Sequence, residues 1–315
     1  MEYTAVIRTL GLAGEKYQCL LDSLVRQTIK PTKIIIYIAD GYPLPAETVG
    51  IEEYVYVPKG MVAQRALDYK EVSTEFILFL DDDLQLGYDA VEVMYNGLVN
   101  NGLDVISPDI FRNDVRPFSN ELMMSLSGRM RPRFYDDEWG YKVMRSAGYS
   151  YRKRIVKDVY RSETNAGAAF LCRKVAFLKI EFKDEKWLDS IPYSLGDDQT
   201  MYYKMHLIGL KVGTLYKHSF RHLDAGGNLN PEKEMRLIYS DFWFKTIFWH
   251  RFILSRAGNW WERFLDCAAI TYSFTFAMTV SLVKLRFDVF KTKKRAIKDG
   301  VNFIRSAEYK ALPKI

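Results

Sequence analysis

Cysteine is scarce in this chain of 315 residues: Cys19, Cys172 and Cys267 are odd in number and far apart. They cannot build a disulfide framework, and none has the close spacing of a structural zinc site. They read as free thiols in a reducing compartment. His218 and His222 stand four apart, but no HExxH pattern accompanies them, so a zinc-protease helix is not indicated. Two nucleotide-binding signatures are also missing, the P-loop lysine motif and the GxGxxG fingerprint, which removes the support for a kinase or a dehydrogenase. The N-terminus MEYTAVIRTL lacks a basic region followed by an apolar region and a small-residue cleavage site. A catalytic part facing the cytoplasm is therefore expected. No internal repeat is visible.

What is present is apolar and aromatic. Hydrophobic residues make up 48% of the chain, enough to bury a large core. The net charge of +6 is concentrated at one end. From Lys284 onward ten basic residues face three acidic ones, a local excess of +7 that leaves the remainder at −1. A near-neutral body thus carries a basic tail. Such a tail suits nucleic acid or an anionic membrane surface, and its aromatic neighbours favour the membrane, with no nucleic-acid partner expected.

The first half alternates short apolar strands with helical periodicity. Strands are predicted at 4–7, 33–39, 54–57, 76–80 and 103–107, with helices around Leu20, after Lys59 and Gly60 near Val62 to Leu67, and at 90–99. This pattern predicts an α/β fold with a mostly parallel central sheet flanked by helices, its functional loops at the carboxyl ends of the strands. Residues 108–163 lose periodicity and read as a variable insertion. Patterning returns at 168–172, after Asp197 and Asp198, and at 210–215. A boundary near Asn230 divides a catalytic domain, 1–230, from a helical, aromatic-rich and basic C-terminal appendage, 231–315.

Asp81, Asp82 and Asp83 follow the apolar run FILFL directly. Carboxylates crowded at the end of a buried strand repel one another unless a cation or hydrogen-bond donors neutralise them. Asp81 and Asp83, one residue apart, suit Mn²⁺ or Mg²⁺ shared with a diphosphate. A solvated acidic turn is the plainer alternative. Asp197 and Asp198 begin a helix, where carboxylates are favoured in any case. They are read either as a cap or as the source of a general base.

Taken in order, VIRTL, KIIIYIADG, YVYVPKGMVAQR, STEFILFLDDDL, NAGAAFLCR and LGDD resemble family 2 glycosyltransferases with the glycosyltransferase A fold over about residues 3–227. The likeness extends to bacterial envelope polysaccharide enzymes. It implies a metal-dependent inverting transfer from a nucleotide diphosphate sugar, a UDP- or dTDP-sugar being favoured, to a saccharide or lipid-linked saccharide acceptor. By the same resemblance, Asp40 bonds the pyrimidine base and Thr9 lies near the base or ribose. Arg65 lies beside the nucleotide, and Asp81 holds the ribose or the metal. Asp83 and His222 are metal ligands. Asp198 is the general base, with Asp197 as second candidate. The loop Ala39, Asp40, Gly41 and Tyr42 departs from the family's usual two acidic residues followed by Gly-Ser, which leaves base selectivity open.

The aromatic segment from Phe242 to Trp261 precedes an uncharged stretch, 267–283, of 17 residues, at the lower limit for a spanning helix. It reads as an in-plane membrane helix at the inner face of the cell membrane, or as a soluble helical appendage that packs on the catalytic domain or on a second copy. A homo-oligomer is compatible with the sequence. Arg129, Arg131 and Arg133, with Arg152, Lys153 and Arg154, are either solvated loop residues or a site for an anionic acceptor. Two readings from other classes stand beside the transferase: a non-catalytic nucleotide-sugar or glycan-binding membrane scaffold, and a metal-dependent phosphoryl-transfer enzyme.

Overall fold

The structure is a computed structural model that describes residues 1–134, 138–223 and 230–315. Its first half alternates as the hydrophobic pattern requires: β1 (Tyr3–Thr9), α1 (Glu15–Val25), β2 (Lys33–Ala39), β3 (Glu52–Val57) and β4 (Phe76–Asp81). β1 pairs in parallel with β2 and β4, and β2 with β3, so their carboxyl ends share one edge. The runs KIIIYIA and FILFL are continuous rather than alternating because both faces of these strands are buried.

One predicted helix is replaced by turns. After Gly60 only two i→i+4 bonds form, Gln64 N–H to Gly60 O and Ala66 N–H to Val62 O. The Asp189 carboxylate takes the Val62 and Ala63 N–H groups at 2.7 and 3.2 Å, and Tyr69 at φ 49° turns the chain away. The segment therefore coils without extending into a helix, and it carries Arg65 inward.

β5 (Leu84–Leu86), α2 (Ala90–Asn100) and β6 (Val105–Pro108) follow. The stretch read as an irregular insertion is ordered into α3 (Phe118–Leu126), β7 (Met130–Arg133), β8 (Trp139–Val143), β9 (Tyr149–Arg152) and β10 (Val159–Ser162), with 135–137 outside the described residues. These strands are too short to display a period, and their small core is built from tyrosines. The hydroxyls are satisfied internally, Tyr141 donating to Asp109 at 2.6 Å and Tyr151 to Glu121 at 2.8 Å. Such a core needs no alternation of apolar and polar residues.

β11 (Ala169–Arg173) runs antiparallel between β4 and β6, followed by α4 (Lys174–Leu178), α5 (Asp197–Leu207), β12 (Val212–Leu215) and β13 (Phe220–His222). Among the described residues, eleven strands form one mixed sheet in the order β3-β2-β1-β4-β11-β6-β12-β10-β8-β9-β7, and β13 pairs separately with β5. The formerly irregular stretch is thus one wing of the central sheet.

The C-terminal region is helical: α6 (Pro231–Phe248), a π-helical turn at Trp249–Ile253, α7 (Trp260–Val283), α8 (Phe287–Arg305) and α9 (Ala307–Lys310). Asn230 caps α6 by accepting from the Lys233 N–H at 2.8 Å, with Pro231 at the first helical position. Phe242, Phe244, Phe248 and Phe252 are buried in the same core as Phe79, Phe170 and Trp187 of the sheet-bearing body. Burying each such ring contributes about 1.5–3 kcal/mol. The front of the aromatic segment is therefore core, and the π-helical turn ties in Arg251, which donates two 2.8 Å bonds to the fully buried Glu185.

Candidate active site

β1, β4 and the amino end of α5 open onto a cleft of about 900 Å³. Its walls include Arg8, Thr9, Asp81, Asp83, Asp198 and His222. The parallel register of β1 and β4 sets Arg8 opposite Asp81, and the Arg8 Nε donates to Asp81 Oδ1 at 2.7 Å. Asp81 is thus matched by a cation before any ligand is considered.

Arg65 lies deeper, with only 3% of its side chain exposed. Its guanidinium donates from Nη1 to Asp198 Oδ1 at 2.5 Å and from Nη2 to Gly167 O at 2.9 Å, and Nη1 lies 2.9 Å from Asp197 Oδ2. The expectation of Arg65 beside the nucleotide meets a different arrangement, in which its donors face the two acidic residues of α5. Burial, and then the Asp198 charge, raise the Asp197 carboxyl. Burial acts on Asp198 in the same direction, but Arg65 and Arg8 outweigh it and hold that carboxyl below the usual range. The Asp198 side chain is also the more exposed, 32% against 9%. The cap of α5 is Gly196, which has no side chain. Asp197 and Asp198 turn to Arg65.

Gly167 makes this packing possible. A Cβ there would lie 2.0 Å from Asp198 Oδ1 and 3.0 Å from Arg65 Nη1, so any side chain would displace the pair.

The three aspartates after β4 have separate surroundings. Thr9 donates to Asp82 at 2.5 Å while accepting from the Gly11 N–H at 2.8 Å, which joins the first loop to the end of β4. Burial raises the Asp82 carboxyl. Asp83 instead meets His222: Nε2 and Oδ1 are 3.2 Å apart, brought together by the pairing of β13 with β5. His218 is directed elsewhere, with Nε2 3.0 Å from Asp109 O. Asp40 lies exposed at the carboxyl end of β2, outside the residues that line the cleft.

No group of three His, Cys, Asp or Glu side chains is arranged to hold a metal ion among the described residues. Asp83 and His222 form a set of two, and Asp81 is engaged by Arg8. One carboxylate and one imidazole fit a divalent ion that draws its remaining ligands from a diphosphate and water.

Several cleft residues escaped sequence reasoning. Arg8 had a legible signal, a charge ending a buried strand beside the one that ends in Asp81. Asp241 and Lys245 lie four apart on α6, beside Arg129 of the basic group that the sequence offered as a contact for an anionic acceptor. Nothing local to those residues showed that they share a wall with Asp198.

No curated protein matches the chain in sequence. Among solved structures it is similar to the crystal structure of S. aureus TarS, with 14% identity and a TM-score of 0.43 over 88% of this chain and 43% of that one. It is also similar to the crystal structure of GalNAc-T7 with UDP, GalNAc and Mn²⁺, with 13% identity and a TM-score of 0.48 over 88% of this chain and 55% of the other. A TarS 1-349 structure gives 15% identity and a TM-score of 0.46, covering 89% and 73%. The chain spans less than two thirds of the length of the first two. In sequence, residues 18–174, which include β2 to β11 and the aspartate run, match the family model described as Glycosyl transferase family 2, and the chain belongs to that family.

Proposed function

We propose that the chain is a metal-dependent inverting glycosyltransferase that moves one sugar from a UDP- or dTDP-linked donor to a hydroxyl of a saccharide or lipid-linked saccharide acceptor. The observation that carries this reading is the meeting, in one cleft, of an Asp198 carboxylate held ionised by arginines with the Asp83 and His222 pair. Asp83 and His222 hold Mn²⁺ or Mg²⁺, which when bound offsets the charge that develops on the departing phosphate. Thr9 and Asp81 border the nucleotide, and Asp40 reaches the base from the exposed end of β2. Asp198 accepts the acceptor's hydroxyl proton as that oxygen attacks the anomeric carbon. Arg65 and Gly167 position Asp198, and Asp197 shares the Arg65 charge. A single displacement of this kind inverts the anomeric configuration and needs no covalent intermediate.

The same reading places the enzyme at the cytoplasmic face of the cell membrane. α7 has 24 residues with a mean hydropathy of 1.3 in its most apolar stretch, long and apolar enough to cross a membrane by length and composition. Its side bonds favour an in-plane position instead. Ser273 donates to Ser127 O at 2.7 Å, and Arg145 donates to Asp266 at 2.5 Å, which fastens α7 along the catalytic body. Trp260, Trp261 and Phe264 stay exposed on α7, as do Lys291, Lys294 and Arg295 on α8. Aromatic rings at the interface and cations toward anionic headgroups suit peripheral binding.

A screen of nucleotide sugars tests the central reading. Mn²⁺-dependent binding with slow donor hydrolysis is expected. Donor binding that ignores the metal, with neither hydrolysis nor transfer, would sink it in favour of a binding scaffold.

A further inference from the structure

Part of the cleft wall is cationic and plays no part in the donor chemistry above. Arg129 Nη2 donates to Asp241 Oδ2 at 3.0 Å, and Lys245 Nζ lies 2.9 Å from Asp241 Oδ1. All three residues line the cleft. Behind them, on α8, Lys293 donates to Ala277 O and Ser281 Oγ, each at 2.8 Å, and its charge acts on both Lys245 and Asp241. Three cations therefore share one carboxylate. Burial, and then the Arg129 charge, bring the Lys245 amine down to about 8, and Lys293 is brought to about 8 for the same reasons. Arg129 stays partly exposed to the cleft and Lys245 is mostly covered, so this excess of positive charge faces the cleft, where an incoming anion can take it up.

The wall is also held in place. Ser127 O accepts from Ser273 on α7, and Arg129 O accepts from the Tyr149 N–H at 3.1 Å. A Cβ at Gly148 would lie 2.2 Å from Arg129 O, so the close approach of that strand to Arg129 requires glycine. A guanidinium fork next to an ammonium matches an oxyanion.

We infer that Arg129 and Lys245 form an oxyanion subsite for the acceptor, which accordingly carries a phosphoryl or carboxylate group. This rests on the proposal that the cleft binds an acceptor beside Asp198.

The test uses the full chain with inorganic phosphate as probe and saturating UDP and Mg²⁺ to occupy the donor site. Lys245 is acylated with acetic anhydride at pH 8 and followed by peptide mass spectrometry. Phosphate should protect Lys245 in the parent chain. In Arg129→Gln the protecting concentration should rise about tenfold, the loss of one charge-assisted bond. In Asp241→Asn it should fall, because the competing carboxylate is gone, whereas a merely structural role would make that variant worse. Absence of protection in the parent chain, or equal protection in all three, overturns the subsite. Failure of UDP with Mg²⁺ to bind, with protection intact, counts against the donor reading and leaves the subsite standing. Acceptors bearing a phosphoryl group, a carboxylate or neither then separate the two anions by their KM values.

Discussion

His222 Nε2 stands 3.2 Å from Asp83 Oδ1 although the two residues are far apart in the chain. Two-stranded pairing brings them together: His222 lies opposite Leu84, and the Leu223 N–H donates to Asp83 O at 2.9 Å. A carboxylate and an imidazole fixed by backbone bonds make a prepared ligand pair. Asp83→Asn and His222→Ala should each weaken Mn²⁺-dependent UDP binding by about tenfold or more. Calorimetry with and without Mn²⁺ checks this, and unchanged affinity in either variant removes that residue from the metal site.

Asp198→Asn should lower kcat by about 10²–10⁴ while UDP still binds. The pH profile adds a sign. Burial would raise the Asp198 carboxyl, yet Arg65 and Arg8 reverse this and lower it. Asp198 stays ionised down to the ordinary aspartate value of about 3.9, and kcat/KM should decline only below it. Arg65→Gln removes the largest lowering influence, so the acid limb should move to higher pH. An unmoved limb would show that Asp198 is not the titrating base.

Gly167→Ala places a methyl group where Asp198 and Arg65 already stand. Transfer should fall by at least about tenfold even in folded protein, because small displacements of a reacting group are costly to rate. Steady-state kinetics together with a melting curve separate this from unfolding. Full activity would mean that the Asp198 and Arg65 geometry is not needed.

Glu185 holds the C-terminal helices to the catalytic body. It is fully buried, accepts twice from Arg251, and also accepts from Lys204 at 3.1 Å and from the Trp187 indole at 2.7 Å. Burial would raise its carboxyl, but Arg251 and Lys204 prevail and lower it. With the folded value below the unfolded one, the contribution is complete above about pH 4.3 and is lost as pH falls through the folded value. Glu185→Gln should cost about 3–5 kcal/mol at neutral pH by taking the carboxylate from buried Arg251, whereas Lys204 keeps Asp184 at 3.2 Å. Urea unfolding at neutral and acidic pH measures both effects. The variant should show the flatter acid dependence, and a parallel curve would remove Glu185 from it.

Trp260, Trp261 and Phe264 are exposed beside one another on α7, with Trp261 and Phe264 stacked at 5.4 Å. Replacing the three by serine should leave the core intact and reduce co-sedimentation with anionic vesicles by about tenfold. Equal sedimentation of parent and variant would exclude this face as the lipid contact. Cutting the chain near Asn230 is a poor substitute, because it strips Phe242, Phe244 and Phe248 from the shared core.

The sheet's first half was legible from residues alone because strands buried on both faces must be continuously apolar, and β2 begins and ends where its run does. The wing from β7 to β10 was not, since tyrosines whose hydroxyls are bonded inside leave no period to read. Nor was the role of the aromatic segment. A Phe-rich helix looks alike whether it faces lipid or a core, and only its packing against Phe170 and Trp187 assigned Phe242 to Phe252 to the interior.

By itself the sequence determined the acidic chemistry: carboxylates at a strand end and a helix start, and a histidine downstream. Residue type and order along the chain are enough for that. Only tertiary structure decided how the charges are matched. The β1–β4 register gave Asp81 to Arg8, a chain of turns carried Arg65 to Asp197 and Asp198, and β13 brought His222 to Asp83. Electrostatic energy depends on distance and burial, and both are properties of the fold.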